Sequence, residues 1–315
     1  MKIVVTGALG HIGSRLIREL PFSFPRCEIL MIDNLMTQRY CSLFNLPKEG
    51  NYRFIEADIT QMDLHPMLES ADVAVHLAAI TDATGSFDQA ALVEKNNYNA
   101  TRRIAEACAE AGVRLITLSS TSVYGTQAEV VDENCAPEEL KPQSPYAVTK
   151  LKEEGLVQQL VKDHGLRANI FRFGTIFGVS PGIRFHTAIN KFCWQAAMGI
   201  PITVWSTAYD QKRPYLDLGD AVRAVEFAIK KDLSKGLLYN VVTANATVCH
   251  IVDAIRLYIP KLEVEFVDTP IMNQFSYEVL NKKIANAGFH ASGNLNKEIA
   301  KTVSLLKTAN NVKDK

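Results

Sequence analysis

The chain has 315 residues, 47% of them hydrophobic and 22% charged, the balance of a globular protein long enough for two lobes. Its 34 basic and 34 acidic residues cancel, so nothing points to nucleic acid or an anionic membrane as the main partner, although a local positive pocket for phosphate is compatible with that count. The six cysteines are scattered without metal-ligand spacing, which predicts reduced thiols, a cytoplasmic setting and no metal; no apolar run approaches the ~18 residues needed to span a bilayer.

The first residues, Met1-Lys2-Ile3-Val4-Val5-Thr6-Gly7, enter a strand and a turn at once, so no signal peptide is expected. Apolar runs then alternate with helical patterns. Strands are predicted over 3–5, 28–32, 52–56, 73–77, 115–118 and 168–171, with helices including 11–20, 90–111 and 146–164. Continuous apolar strands separated by helices predict a parallel sheet covered on both faces, an α/β, Rossmann-type doubly wound fold. After Gly178 the rhythm changes, and Pro181-Gly182 and Gly199-Ile200-Pro201 break the chain. A helix at 220–230 and a short strand near 239–242 rejoin the sheet. The expected division is a dinucleotide-binding domain over 1–178, with 213–242 returning to it. A smaller C-terminal substrate-binding lobe takes 179–212 and 243–315. The polar tail after Asn310 is expected to fray.

Gly7, Gly10 and Gly13 lie between the first strand and the first helix. Glycine permits a positive φ there and lets backbone N–H groups approach a pyrophosphate, while the helix offers its positive end to the same anion. Asp33 ends the second strand, where an acid accepts hydrogen bonds from an adenosine ribose. A carboxylate there repels a 2′-phosphate and favours NAD over NADP, with Arg39 the one residue able to soften that preference. The bland reading of Asp33-Asn34 is a turn at a strand end. Asp58, with Ile59 after the third strand, has two readings as well: an adenine contact or a helix cap.

Tyr146 and Lys150 are four apart on a predicted helix and share a face. A phenol titrates near ~10 and is a poor base at neutral pH, but an adjacent ammonium and an oxidised nicotinamide both stabilise the phenolate. Tyr146 would take an alcohol proton, Lys150 would support it, and Ser120 would hold the same oxygen. A tyrosine and lysine at this spacing are commonplace on helices. Here Ser144-Pro145 makes a helix entrance, and Ser119-Ser120 falls at a strand end, where such folds bind ligands.

The chain resembles the extended short-chain dehydrogenase/reductase family, in its nucleotide-sugar epimerase/dehydratase branch. The matching pieces are Thr6-Gly7-Ala8-Leu9-Gly10-His11-Ile12-Gly13, Asp33-Asn34-Leu35, His76-Leu77-Ala78-Ala79 and Asn97-x-x-Ala100-Thr101. Ser119-Ser120-Thr121-Ser122-Val123-Tyr124-Gly125, Ser144-Pro145-Tyr146-x-x-x-Lys150 and Arg213-Pro214-Tyr215 complete the pattern. The resemblance implies that Ser120, Tyr146 and Lys150 are catalytic. It implies cofactor contacts from the glycine turn with His11 and Ile12, from Asp33, Asn34, Leu77, Ala78, Ala79 and Asn97, and from Tyr146 and Lys150. His76 is expected to be structural. Thr81, Ser120, Thr121, Tyr124, Thr175, Arg184 and Arg213 are implied on the substrate side. The two arginines suit phosphate, with surface ion pairs as their alternative. Thr175 departs from the asparagine that sugar epimerases often carry, and Phe275 from an arginine that often contacts the diphosphate.

A 4,6-dehydratase needs extra acid/base groups, which family dehydratases supply as an Asp-Glu pair where this chain has Thr121-Ser122. A 4-epimerase needs nothing beyond the triad, so transient oxidation of C4 of a nucleotide hexose is the expected reaction. The base is left open among UDP, GDP, dTDP and CDP. A C4 dehydrogenase is the runner-up and a non-catalytic dinucleotide sensor the third reading. Leftover apolar positions at Ile104, Leu156 and Leu160 are expected to build a four-helix contact in a homodimer, their alternative being intramolecular core.

Overall fold

A computed structural model describes residues 1–81, 90–125, 128–268 and 276–310. Phe275 and the tail beyond Asn310 lie outside the described residues. The strands are β1 (Lys2–Thr6), β2 (Glu28–Asp33), β3 (Asn51–Glu56), β4 (Val73–His76), β5 (Arg114–Ser120), β6 (Val130–Val131) and β7 (Ala168–Phe173). They continue as β8 (Thr175–Phe177), β9 (Ile202–Trp205), β10 (Lys212–Asp217), β11 (Leu238–Val241), β12 (Ala244–Thr247), β13 (Val264–Val267) and β14 (Glu278–Val279). The helices are α1 (His11–Ser23), α2 (His65–Leu68), α3 (Ala90–Ala111), α4 (Pro145–His164), α5 (Ala188–Ala197), α6 (Leu218–Lys231), α7 (Val248–Arg256), α8 (Lys282–Asn286) and α9 (Leu295–Lys307).

Seven strands form one parallel sheet in the order β11-β7-β5-β4-β1-β2-β3. The period of two divides its apolar residues between two cores. Ile3, Val5, Ile29 and Met31 face one side, against Leu16 and Leu20 of α1 and Val222 and Val225 of α6. Val4, Leu30 and Ile32 face the other, against Ile104 and Cys108 of α3 and Val157 of α4. Each such side chain contributes about 1.5–3 kcal/mol on burial, which fixes the register, since a slip of one residue would exchange the two faces. The strand order reverses between β1 and β4, opening a crevice at their carboxyl ends.

Helix α1 continues past its predicted end through Pro21 to Ser23. Proline lacks the N–H that would reach the carbonyl of Ile17, and the Tyr52 hydroxyl donates to that carbonyl instead, at 3.0 Å. Helix α4 is capped as its sequence suggests. The Ser144 hydroxyl accepts from Ala147 N–H at 3.2 Å, Pro145 opens the helix, and Gly165 ends it at φ 67°.

Strand β10 lies outside the large sheet, between β8 and β12. A third apolar cluster around Phe177, Phe192, Ile251 and Val303 packs α5, α7 and α9 together. Ile104 and Leu160, expected as leftover surface, are interior residues of the second core, and Leu156 packs against it. α3 and α4 pack on each other. Among the described residues no helix is long and apolar enough to cross a membrane, and no cluster of His, Cys, Asp or Glu could hold a metal. All six cysteines are unbridged, and burial pushes the Cys108 and Cys193 thiols up to about 12.

Candidate active site

A cavity of about 1000 Å³ opens at the crevice. At one end stands the glycine turn. Gly7 has φ +65°, and a Cβ on it would lie 2.6 Å from Ala78 N, while one on Gly13 would lie 2.4 Å from the Gly7 carbonyl. These two glycines answer to the protein's own packing. Gly10 differs: its nearest obstacle is the Gly7 carbonyl at 3.3 Å, and it borders the cavity. α1 starts there without a side-chain cap and without an acid in its first turn, so its first N–H groups remain for an anion. This cradle fits a dinucleotide pyrophosphate.

His11 lines the same wall. Its Nε2 lies 2.8 Å from the Gly178 carbonyl, which can only accept, so the ring carries its proton there. Burial, opposed by that bond and reinforced by Arg184, holds its pKa down at about 3. The Ser180 hydroxyl donates to the His11 carbonyl at 2.8 Å, and Gly182 N–H donates to the Ser14 hydroxyl at 3.0 Å. Asn190, fully buried, accepts from Gly178 N–H and donates to the Arg184 carbonyl. The segment 178–184 is therefore stapled onto the glycine turn at several points. From the sequence it was a chain break that carried Arg184 as a substrate-side candidate.

Asp33 stands behind the turn. One carboxylate oxygen accepts from Leu9 N–H at 3.0 Å and the other from Leu35 N–H at 2.9 Å. A carboxylate has about four acceptor sites, so capacity for a ribose remains. Arg39 borders the cavity beside Gly10; burial pulls its pKa down and the Asp33 charge pulls it back. Asp33 itself does not border the cavity, and four further expected cofactor residues are off the wall as well. The Asn34 side chain accepts from Met36 N–H in an exposed turn. Asp58 accepts from the backbone and hydroxyl of Thr60. Ile59 is core. Asn97 is buried and clasps both backbone groups of Ile80, at 2.8 Å each. Leu77, Ala78, Ala79 and Thr81, in the segment that Asn97 braces, do line the cavity, as does Ile12.

Ser120, Tyr146 and Lys150 all border the cavity. Ser120 ends β5, and its hydroxyl accepts from the backbone and the hydroxyl of Ser122, at 3.2 and 2.9 Å, which leaves its own proton to donate. Ser119 also borders the cavity; its hydroxyl is buried with no hydrogen-bond partner among the described residues. The ammonium of Lys150 lies 5.9 Å from the Tyr146 ring centre and 2.8 Å from a Glu153 carboxylate oxygen. Burial works against that charge, but the Glu153 carboxylate and the Tyr146 oxygen hold the pKa above the ordinary lysine range.

Thr121, Thr175, Arg184 and Arg213 border the cavity. Thr121 donates to the Phe173 carbonyl, and its own carbonyl accepts from the Tyr277 hydroxyl. The Arg213 guanidinium lies 5.7 Å from the Tyr277 ring centre; Lys191 and His186 are further cationic or titratable groups on this wall. Tyr124 corrects the expectation that it stands beside a substrate. It is 1% exposed, its hydroxyl donates to Asn240 at 2.8 Å, and the Arg172 guanidinium lies 4.8 Å from its ring centre. Arg172 in turn pairs bidentately with the buried Glu154. Tyr124 is a strut under the wall.

No described residue bordering the cavity is an aspartate or glutamate. The arrangement can move one proton through a phenol and hold an anionic ligand.

An uncharacterised UDP-glucose epimerase of Bacillus subtilis (strain 168) is 33% identical over 240 residues, covering 73% of each chain. A trifunctional UDP-glucose 4,6-dehydratase/UDP-4-keto-6-deoxy-D-glucose 3,5-epimerase/UDP-4-keto-L-rhamnose-reductase of Arabidopsis thaliana is 29% identical over 96% of this chain, which spans only 46% of that protein. The UDP-glucuronic acid 4-epimerase of Bacillus cereus, solved with UDP-glucuronic acid and NAD, superposes with a TM-score of 0.85 at 26% identity, over 98% of this chain and all of the other. Residues 3–241 match the family model described as the NAD dependent epimerase/dehydratase family, and the chain belongs to that family.

Proposed function

We propose that the protein is an NAD-dependent nucleotide-sugar 4-epimerase, with a UDP-hexose as the favoured substrate class. The observation that carries this reading is the chemistry of the cavity wall: Ser120, Tyr146 and Lys150 all border it, and no described carboxylate does. A 4,6-dehydratase must eliminate water and needs further acid/base groups; an epimerase does not. UDP is favoured because the similar epimerases carry UDP-sugars in their names.

The glycine turn and the start of α1 would hold the pyrophosphate, Asp33 the adenosine ribose, and Leu77, Ala78 and Lys150 the nicotinamide end. When bound, the dinucleotide supplies a reversible acceptor for the C4 hydrogen and its electron pair. The Tyr146 oxygen takes the C4 hydroxyl proton, with the Lys150 ammonium stabilising the negative charge that precedes it. Ser120 donates to the same substrate oxygen and keeps it in place as it becomes a carbonyl. After the keto-sugar turns over, Tyr146 returns the proton and the opposite C4 configuration results. Arg184 and Arg213 are suited to the diphosphate.

The test is incubation of purified protein with UDP-glucose, UDP-N-acetylglucosamine and UDP-glucuronic acid, followed by proton NMR of the sugar and absorbance of NADH. C4 inversion without net NADH supports the epimerase. Stoichiometric NADH with a keto-sugar would replace it with a C4 dehydrogenase. No turnover of any nucleotide sugar would sink both.

A further inference from the structure

Behind Lys150 runs a buried polar chain that the epimerase reading does not use. Lys150 donates to a Glu153 oxygen at 2.8 Å, and the Thr101 hydroxyl donates to the same oxygen at 2.9 Å. With its one proton committed, Thr101 must accept from His76 Nε2, 3.2 Å away. That places the ring proton on Nε2, so His76 Nδ1 accepts from the Thr6 hydroxyl at 2.8 Å. Burial holds the His76 pKa down at about 3, so the ring is neutral. Thr6, His76, Thr101, Lys150 and Glu153 are all at most 4% exposed. The second Glu153 oxygen is buried with no hydrogen-bond partner among the described residues.

The charges can be counted element by element. On α4, Glu154 is neutralised by its bidentate contact with Arg172 of β7. From β4 comes only the neutral His76. From α3 comes the Thr101 hydroxyl, while Glu94 of that helix pairs with the exposed Lys152. Behind Tyr146, the positive charge of Lys150 is thus matched by Glu153, while Arg184, His186, Lys191 and Arg213 border the same cavity as Tyr146. Lys150 and Glu153 carry no net charge between them, so a phenolate on the half-buried Tyr146 would set an unmatched negative charge against this buried pair, which is costly where the dielectric is low. Without Glu153, the phenolate and Lys150 would balance by themselves.

We propose that Glu153 is a positioning residue that neutralises Lys150 locally, so that Tyr146 releases its proton only when the cationic, oxidised dinucleotide occupies the cavity. Proton transfer is thereby tied to the redox state of the cofactor. The proposal rests on the reading of Tyr146 as the proton acceptor.

The test is the ultraviolet absorbance of phenolate against pH, in protein stripped of nucleotide and again saturated with NAD. Subtraction of the Tyr146→Phe variant isolates residue 146. In the native protein NAD lowers the midpoint by about one pH unit or more. In Glu153→Gln the nucleotide-free midpoint starts about one unit lower and NAD shifts it less. Glu153→Asp, which keeps the charge but draws it back, gives an intermediate midpoint and serves if the glutamine variant does not fold. A nucleotide-free midpoint in both variants equal to the native one overturns the proposal. So does a higher one, which would mean that Glu153 merely keeps a proton on Lys150. The titration needs no turnover, so a protein that epimerises no sugar but titrates as stated loses the functional reading and keeps the charge coupling.

Discussion

The imidazole of His11 donates its Nε2 proton to the carbonyl of Gly178, joining the first residue of α1 to the loop that leaves β8. Gly182 of the same loop presses on the glycine turn, and a Cβ there would lie 2.4 Å from the Leu9 carbonyl and 2.6 Å from that of Gly10. Gly182→Ala must therefore lift the loop. The expected result is a loss of about 1–3 kcal/mol of stability together with weaker NAD binding. Thermal melts with and without NAD check this, and an unchanged melt and affinity would refute the staple.

His11 and His76 are both buried with their pKa held at about 3. In the unfolded chain they titrate near ~6.5. Above that pH both states are neutral and the histidines make no difference. As pH falls from about 6.5 toward 3, the unfolded state takes up protons that the folded state refuses, and stability drops by about 1.4 kcal/mol per pH unit per histidine. Urea midpoints at pH 7 and pH 5 measure this. His76→Gln is expected to flatten the slope by about one proton, and an identical slope would contradict the burial argument.

Tyr146→Phe removes the proton carrier and leaves the apolar ring. Turnover is expected to fall by about 10²–10⁴-fold, with NAD affinity measured by fluorescence unchanged. Retained turnover would transfer the proton to another group.

Asp33→Ala removes the carboxylate that repels a 2′-phosphate and leaves Arg39 at the cavity edge. NADP affinity should rise relative to NAD, read from paired binding isotherms. A constant ratio would show that Asp33 only braces the turn through Leu9 and Leu35.

Tyr124→Phe leaves the Asn240 oxygen without its donor in a buried site. It should cost about 1–3 kcal/mol of stability with KM for the nucleotide sugar unaltered. A raised KM at native stability would restore Tyr124 to the substrate wall.

The parallel sheet was legible in the sequence because its strands are unbroken apolar runs, and Ser120, Tyr146 and Lys150 because spacing along one helix and one strand end is local. What was not legible depends on contacts far apart in the chain. Nothing near Tyr124 announces Asn240, 116 residues away. Asn190 looks like any helical asparagine until it clamps both ends of the loop at 178–184. Ile104 and Leu160 read as spare because helical periodicity marks an apolar face without saying that α3 and α4 pack on each other. The return to the dinucleotide-binding domain was drawn over 213–242, and no strand was predicted over Lys212–Asp217. The register of that segment with β8 and β12 is a matter of pairing that no local pattern encodes.

The loop stapled at His11, Ser180 and Gly182 also carries Arg184. One stretch of backbone thus packs on the glycine turn at its start and borders the cavity a few residues later. Under the proposed function, new sugar preferences would arise by drift at 184–187 while 178–182 stays under constraint, so inherited variation along this single loop should rise sharply within half a dozen positions.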